Sequence, residues 1–200
     1  MSVTVALAES PSPSASPAAT AQPSPTATPV PSSPPASNTG DFVEKKCEAI
    51  KTTLAMPKGW FFLELKNPDG NGASYVLSKE KVSNEYDSFK TGMTLNVIKD
   101  VIGQVGMKPS EYAKSLIEQD QEKDNNSKMQ TSEETPFKIF KTTQTIDTDD
   151  GKLIMQTLFK ANDQTGTLYH FTWQYPQKEE AMATEIWAEI LKRSKLDPAF

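Results

Sequence analysis

The chain has 200 residues, and its 21 Lys and Arg against 26 Asp and Glu give a formal net charge of −5 with both signs interspersed. That balance argues against nucleic acid, whose phosphates need a clustered basic face. Residues 1–40 hold nine of the fifteen prolines, a single charge at Glu9 and no aromatic side chain, so they cannot bury a core; residues 41–200 carry every Phe, Tyr and Trp and suffice for one domain.

The opening Met1 to Glu9 places Ala6 and Ala8 in the small-x-small spacing of a signal-peptidase site after apolar residues from Val3. If these residues are the end of an export signal, the expected location is extracytoplasmic: periplasm, cell surface or secreted. If residues 1–8 are a true start, it is the cytoplasm. Ser10 to Ser37 repeats Ser-Pro and Thr-Pro steps. Proline fixes φ and lacks a donor, so this stretch favours extended polyproline II and reads as a spacer, reaching about 85 Å when fully extended. Such a spacer holds a domain away from a membrane or wall, consistent with peripheral association there. As a ligand for proline-binding domains it lacks the basic residue that orients such peptides.

Cys47 is the sole cysteine, which excludes an internal disulfide and a cysteine metal cage. A lipoprotein cysteine follows an apolar segment, whereas Cys47 lies in Glu44-Lys45-Lys46-Cys47-Glu48, so no lipid anchor is expected. No run of about 18 apolar residues exists to form a transmembrane helix.

Residues 47–56 read as one extended segment ending at the Pro57-Lys58-Gly59 turn. Trp60 to Lys66 and Ser74 to Ser78 read as strands joined by the turn-rich residues 67–72. Met93 to Ile98 alternates, with Met93, Leu95 and Val97 on one face. Pro109 opens a helix carrying Tyr112, Ala113, Leu116 and Ile117 at helical spacing, and the pattern ends in the polar residues 120–127. Strands are then expected at Phe137 to Ile146, Lys152 to Lys160 and Thr167 to Tyr175, a meander joined by Asp, Asn and Gly turns. A last helix, Gln177 to Ser194, has Glu179 and Glu180 in its first turn and Lys192 and Arg193 in its last, with an apolar stripe of Ala183, Ile186, Trp187, Ile190 and Leu191. The expected fold class is α+β: a predominantly antiparallel sheet of about six strands flanked by two main helices.

No nucleophile elbow, zinc-protease motif, phosphate loop or dinucleotide fingerprint is present. His170 is the sole histidine, so a histidine-dependent nucleophile would have to use it. The metal candidates are His170 with the turn acids Asp147, Asp149 and Asp150, though Asp and Gly also make hairpin turns with no cation. Asn67, Asp69 and Asn71 repeat the first half of a calcium loop, but Ser78 stands where a bidentate Glu is required. The adjacent pairs Glu133-Glu134 and Glu179-Glu180 do not form an acid and base across a cleft.

Met56-Pro57-Lys58-Gly59-Trp60 resembles the Leu-Pro-x-Gly-Trp entry of the PsbP-like superfamily, which includes the extrinsic photosystem II subunit and bacterial exported proteins. The strand Thr91 to Val97 and the helix start Ser110-Glu111-Tyr112-Ala113 resemble its middle portion, and the similarity spans residues 48–194. The resemblance implies an α/β/α sandwich used for docking onto other proteins, with no enzymatic activity and no cofactor. It transfers no binding residue, and a generic exported bacterial relative fits better than a photosynthetic one. The expected function is a non-enzymatic, extracytoplasmic docking domain for a protein partner, on a Pro-rich stalk. The alternatives are a small-molecule or metal-binding module with a pocket between sheet and helices, and an enzyme using an acidic site around Asp149, Asp150 and His170.

Overall fold

A strand with bulky side chains on both faces belongs in the middle of a sheet. Residues 167–176 are such a strand, and they occupy the central position in the computed structural model, which describes residues 41–66, 70–84, 87–123 and 129–197. The Pro-rich residues 1–40, with Asn67 and Asp69 of the calcium-like loop, lie outside the described residues.

The elements run β1 (Phe42–Cys47), a 3-10 turn (Glu48–Ile50), β2 (Thr52–Pro57), β3 (Phe61–Lys66), β4 (Gly72–Ser78), β5 (Gly92–Ile98), α1 (Val101–Val105), α2 (Pro109–Lys123), β6 (Gln130–Glu134), β7 (Phe137–Thr148), β8 (Gly151–Asn162), β9 (Thr167–Pro176), a 3-10 turn (Gln177–Glu179) and α3 (Glu180–Arg193). Seven strands form one antiparallel sheet in the order β3-β4-β5-β9-β8-β7-β6, and β1 pairs with β2 as a separate hairpin. The fold is thus an α+β sandwich, with one strand more in its main sheet than the sequence suggests. The extra strand is the polar β6. Each of the five residues of β6 is exposed, so no alternating apolar pattern announces it, and it forms by pairing with β7.

Two other boundaries differ from expectation. The extended segment at residues 47–56 breaks at the 3-10 turn, where Lys51 takes a left-handed conformation (φ 47°) and folds β2 back onto β1. The last α-helix begins three residues late. Glu179 sits at its N-cap, and its carboxylate instead accepts hydrogen bonds from Lys79 Nζ (3.3 Å) and Thr91 Oγ1 (3.2 Å), anchoring the β4–β5 connection.

Both sheet faces carry apolar cover. On one, Tyr169, Phe171, Trp173 and Tyr175 of β9 meet Ala183, Ile186, Trp187 and Ile190 of α3 together with the β1–β2 hairpin. All three tryptophans form a column there: Trp60 and Trp173 are stacked at 5.8 Å and Trp173 and Trp187 at 5.5 Å, with rings nearly parallel. On the other face, Leu168 is fully buried beneath α2, packed with Ala113, Ile117, Phe140 and Phe159. At Gly92 a Cβ would come 2.5 Å from the Leu77 carbonyl oxygen and 2.9 Å from the Phe89 ring, so the close return of the β4–β5 connection requires glycine.

The N-terminus of α2 is completed from a distance. Lys108 precedes it and offers no oxygen-bearing side chain, and Asp163 in the β8–β9 turn accepts hydrogen bonds from Ser110 N (2.9 Å) and Ser110 Oγ (2.8 Å). Lys138 adds an ion pair to Asp163 at 2.9 Å. Burial alone would raise the Asp163 carboxyl pKa, but these bonds outweigh it and hold the group below its ordinary value.

Candidate functional site

The acids and the histidine singled out in the sequence do not meet. Asp147 and Asp150 flank the β7–β8 hairpin turn and are engaged by lysines, Asp147 with Lys152 at 2.9 Å and Asp150 with Lys90 at 2.6 Å; Asp149 is exposed in the turn between them. The Lys90 hydrogen bond and charge hold the Asp150 carboxyl below its ordinary pKa. Gly151 closes this hairpin, and Phe159, opposite His170, lies eight residues farther along β8. At the rise of an antiparallel strand that is about 27 Å. Among the described residues no group of three or more His, Cys, Asp or Glu side chains is placed to hold a metal ion. Of the calcium-like loop, Asn71 is described, and its backbone carbonyl accepts hydrogen bonds from Lys99 N (3.0 Å) and Gln104 Nε2 (3.3 Å).

His170 lies on the α2 side of the sheet with its ring stacked on Phe159 (centroids 4.3 Å apart) and Nε2 3.3 Å from Thr172 Oγ1. Burial pushes its pKa from 6.5 down to about 4, with a small opposing pull from Asp120. The imidazole is therefore neutral at pH 7. Cys47 lies on the opposite side, in the α3 core, where burial and then the Glu64 charge push its thiol up to about 12. The sole thiol and the sole imidazole are thus separated by the sheet, and the thiol lacks the thiolate character a nucleophile needs.

The side chains that stand out are instead apolar and exposed. Ile102, Val105 and Met107 are 49%, 40% and 44% exposed, in and just after α1. Ile102 and Val105 are three apart on the short helix and so share a face. The turn that presents them is firmly held. Asp100, at φ 47°, accepts a hydrogen bond from Gly103 N (3.1 Å), and Gly106, at φ 74°, closes the helix onto the Ile102 carbonyl. Val101 is fully buried beneath, and its N–H donates to the Gly166 carbonyl at 2.9 Å. Lys99, Asp100, Gln104 and Lys108 surround this knob in the chain, giving an apolar centre with a polar rim. Sequence reasoning passed over it because Gly103 and Gly106 interrupt any helical period; the detectable signal was three large apolar residues, Ile102, Val105 and Met107, alternating with two glycines.

Among the described residues, several concavities line the helices, and two of them lie against the sheet. One, of about 360 Å³, lies between α2 and β6–β7, where Ser110 and Lys138 are already bound to Asp163. The other, of about 450 Å³, lies between the end of α3 and the β6–β8 side of the sheet. No helix among the described residues is long and apolar enough to cross a membrane.

The layered architecture places the chain in the class of PsbP-like α+β folds. The solution structure of cyanobacterial PsbP from Synechocystis sp. PCC 6803 superposes with a TM-score of 0.51 at 7% identity, covering 78% of this chain and 92% of that one. At that identity the likeness concerns the fold alone. The yeast Ran-binding protein Mog1p from Saccharomyces cerevisiae aligns at TM-score 0.45 and 12% identity, covering 78% and 95% of the two chains. A Bacteroides thetaiotaomicron structure aligns at 0.45 and 10%, covering 77% and 48%. No family model matches the sequence, and no curated protein matches it.

Proposed function

We propose that this chain is a non-enzymatic docking domain, carried outside the cytoplasm on the Pro-rich stalk of residues 1–40, that engages a folded protein partner through the knob on α1. The observation that carries this reading is the exposure of Ile102, Val105 and Met107 on a turn fixed at both ends. Large apolar side chains held rigidly in water are costly to solvate and lose little entropy on binding, the properties of an interface anchor. The partner this surface suits presents an apolar pocket ringed by polar groups.

Replacing Ile102 and Val105 together by Asp should lower the melting temperature only slightly, because about half of each side chain is already in solvent. It should weaken the complex by roughly 2 kcal/mol or more per anchor. Crosslinking from envelope extracts followed by affinity measurement on the purified pair reads this out; equal recovery of the same partner by both proteins rejects the surface. Fractionation tests the location separately: the full chain is expected outside the inner membrane, and recovery with cytoplasmic proteins would reject that half of the proposal.

A further inference from the structure

The groove beside α3 combines an apolar floor with mostly basic walls. Its floor is apolar, built from Phe137 and Phe171 of the sheet with Leu191 and Leu196 from the chain end of the α3 layer. Its walls carry Lys160, Lys192 and Lys195 against one carboxylate, Glu134. Residues 41–200 as a whole hold more acids than bases, so this local excess of cations is an inversion of the domain's charge.

The register explains how the lysine from the sheet reaches an apolar trough. Lys160 is the partner of Tyr169 in β9, and it therefore points to the α3 side, at the margin where α3 ceases to cover the sheet. Its side chain is only 17% exposed, its Nζ lies 5.7 Å from the Phe137 ring centroid, and it contacts Glu134 at 3.0 Å. An ammonium has three donors, and the Glu134 contact uses one. Across the groove, Lys192 is 75% exposed and Lys195 is exposed. The latter is positioned by the backbone bridge of its residue to Thr53, while Ser194 Oγ accepts from Ala55 N at 3.0 Å. The groove wall is thus tied to the β1–β2 hairpin.

The geometry points to a binding site for a small anionic amphiphile, a free carboxylate with an aliphatic body, whose chain lies on Phe137, Leu191 and Leu196 and whose charge meets Lys160 and the Lys192–Lys195 rim. A volume of about 450 Å³ falls within the size range of small-molecule sites, which combine an apolar lining with a few polar groups that fix orientation. A partly buried cation beside an apolar floor discriminates for a carboxylate because the low local dielectric strengthens that contact relative to water.

The test uses the full chain and decanoate below its micelle concentration, with decanol and acetate as matched probes lacking charge or chain. Saturable shifts in amide resonances of residues 191–196 and of β8 around Lys160 are expected with decanoate, and much weaker ones with decanol and acetate. Charge reversal at the two exposed lysines, Lys192→Glu with Lys195→Glu, should weaken decanoate about tenfold, as for loss of a charge-assisted contact, and leave decanol unchanged; the melting temperature should fall slightly, because Lys192 also pairs with Glu189 at 3.3 Å in the last turn of α3. The site is overturned if decanoate does not saturate, if its shifts map elsewhere, or if the double variant binds it as well as the parent. Binding to phosphatidylglycerol vesicles with none to free decanoate would likewise overturn it, in favour of a membrane surface contact. None of these outcomes bears on the α1 knob, which is at a different surface.

Discussion

Truncating Trp187 to Ala should cost the folded state about 3–5 kcal/mol, the usual penalty for removing a large buried aromatic side chain. Trp187 is 4% exposed, stacks on Trp173 at 5.5 Å and meets Phe171 edge-on at 6.0 Å. Its loss would leave Trp173 with one stacking partner, Trp60, and open the seam between α3 and the sheet. A rigid seam relaxes only in part around such a void, which places the cost in the upper part of the range for core truncations. Because net stabilities are about 5–15 kcal/mol, urea titration should show a large drop in midpoint. The native protein's tryptophan emission should be that of indoles shielded from water. A loss below about 1 kcal/mol, or an emission spectrum of solvated tryptophan in the native parent, would contradict the packing of α3.

Acidification from pH 7 to 4.5 should remove about 2.5 kcal/mol of stability through His170 alone. The imidazole titrates at 6.5 when free and at about 4 in the fold, because burial against Phe159 disfavours the charged ring. Between those values the unfolded chain binds a proton that the folded chain refuses, so stability rises with pH. The contribution is complete above 6.5 and lost progressively as pH falls toward 4. The carboxylates held below their ordinary values, Asp150, Asp163 and Glu189, act in the same direction but at lower pH. Their stabilisation is present above the unfolded carboxylate pKa and is lost as pH falls through the folded one. Above about pH 5.5 the loss is therefore almost entirely the histidine's, and the carboxylates join it as pH approaches 4.5. His170→Phe keeps a ring on Phe159 and cannot take a proton, so its unfolding midpoint in urea should fall much less across this window than the parent's. Parallel curves for the two proteins would reject a buried neutral imidazole.

The core faces and the groove beside α3 differ in how far the sequence discloses them. The apolar stripe of α3 and the alternation of β9 are periodic within one element, so their core faces can be read residue by residue. The groove beside α3 draws Phe137, Lys160, Phe171 and Lys192 from four separate elements. No local pattern links them, and Lys160 reads in sequence as an ordinary solvated charge. The turn acids Asp147, Asp149 and Asp150 illustrate the reverse case. Their clustering in sequence is turn chemistry, and the strand register carries His170 to the far part of the hairpin.

Chain order and periodicity determined the α+β class, the antiparallel meander of β7, β8 and β9, and the inward stripe of α3, because alternation every two residues and recurrence every three to four are local consequences of backbone geometry. The tertiary structure alone decided the pairing of polar β6, the capping of α2 by Asp163 from 53 residues away, the tryptophan column and the neutral state of His170. Each of these depends on which distant side chains the sheet register brings within a few ångströms. That proximity sets hydrogen bonding, stacking and desolvation, and it has no counterpart in the spacing of residues along the chain.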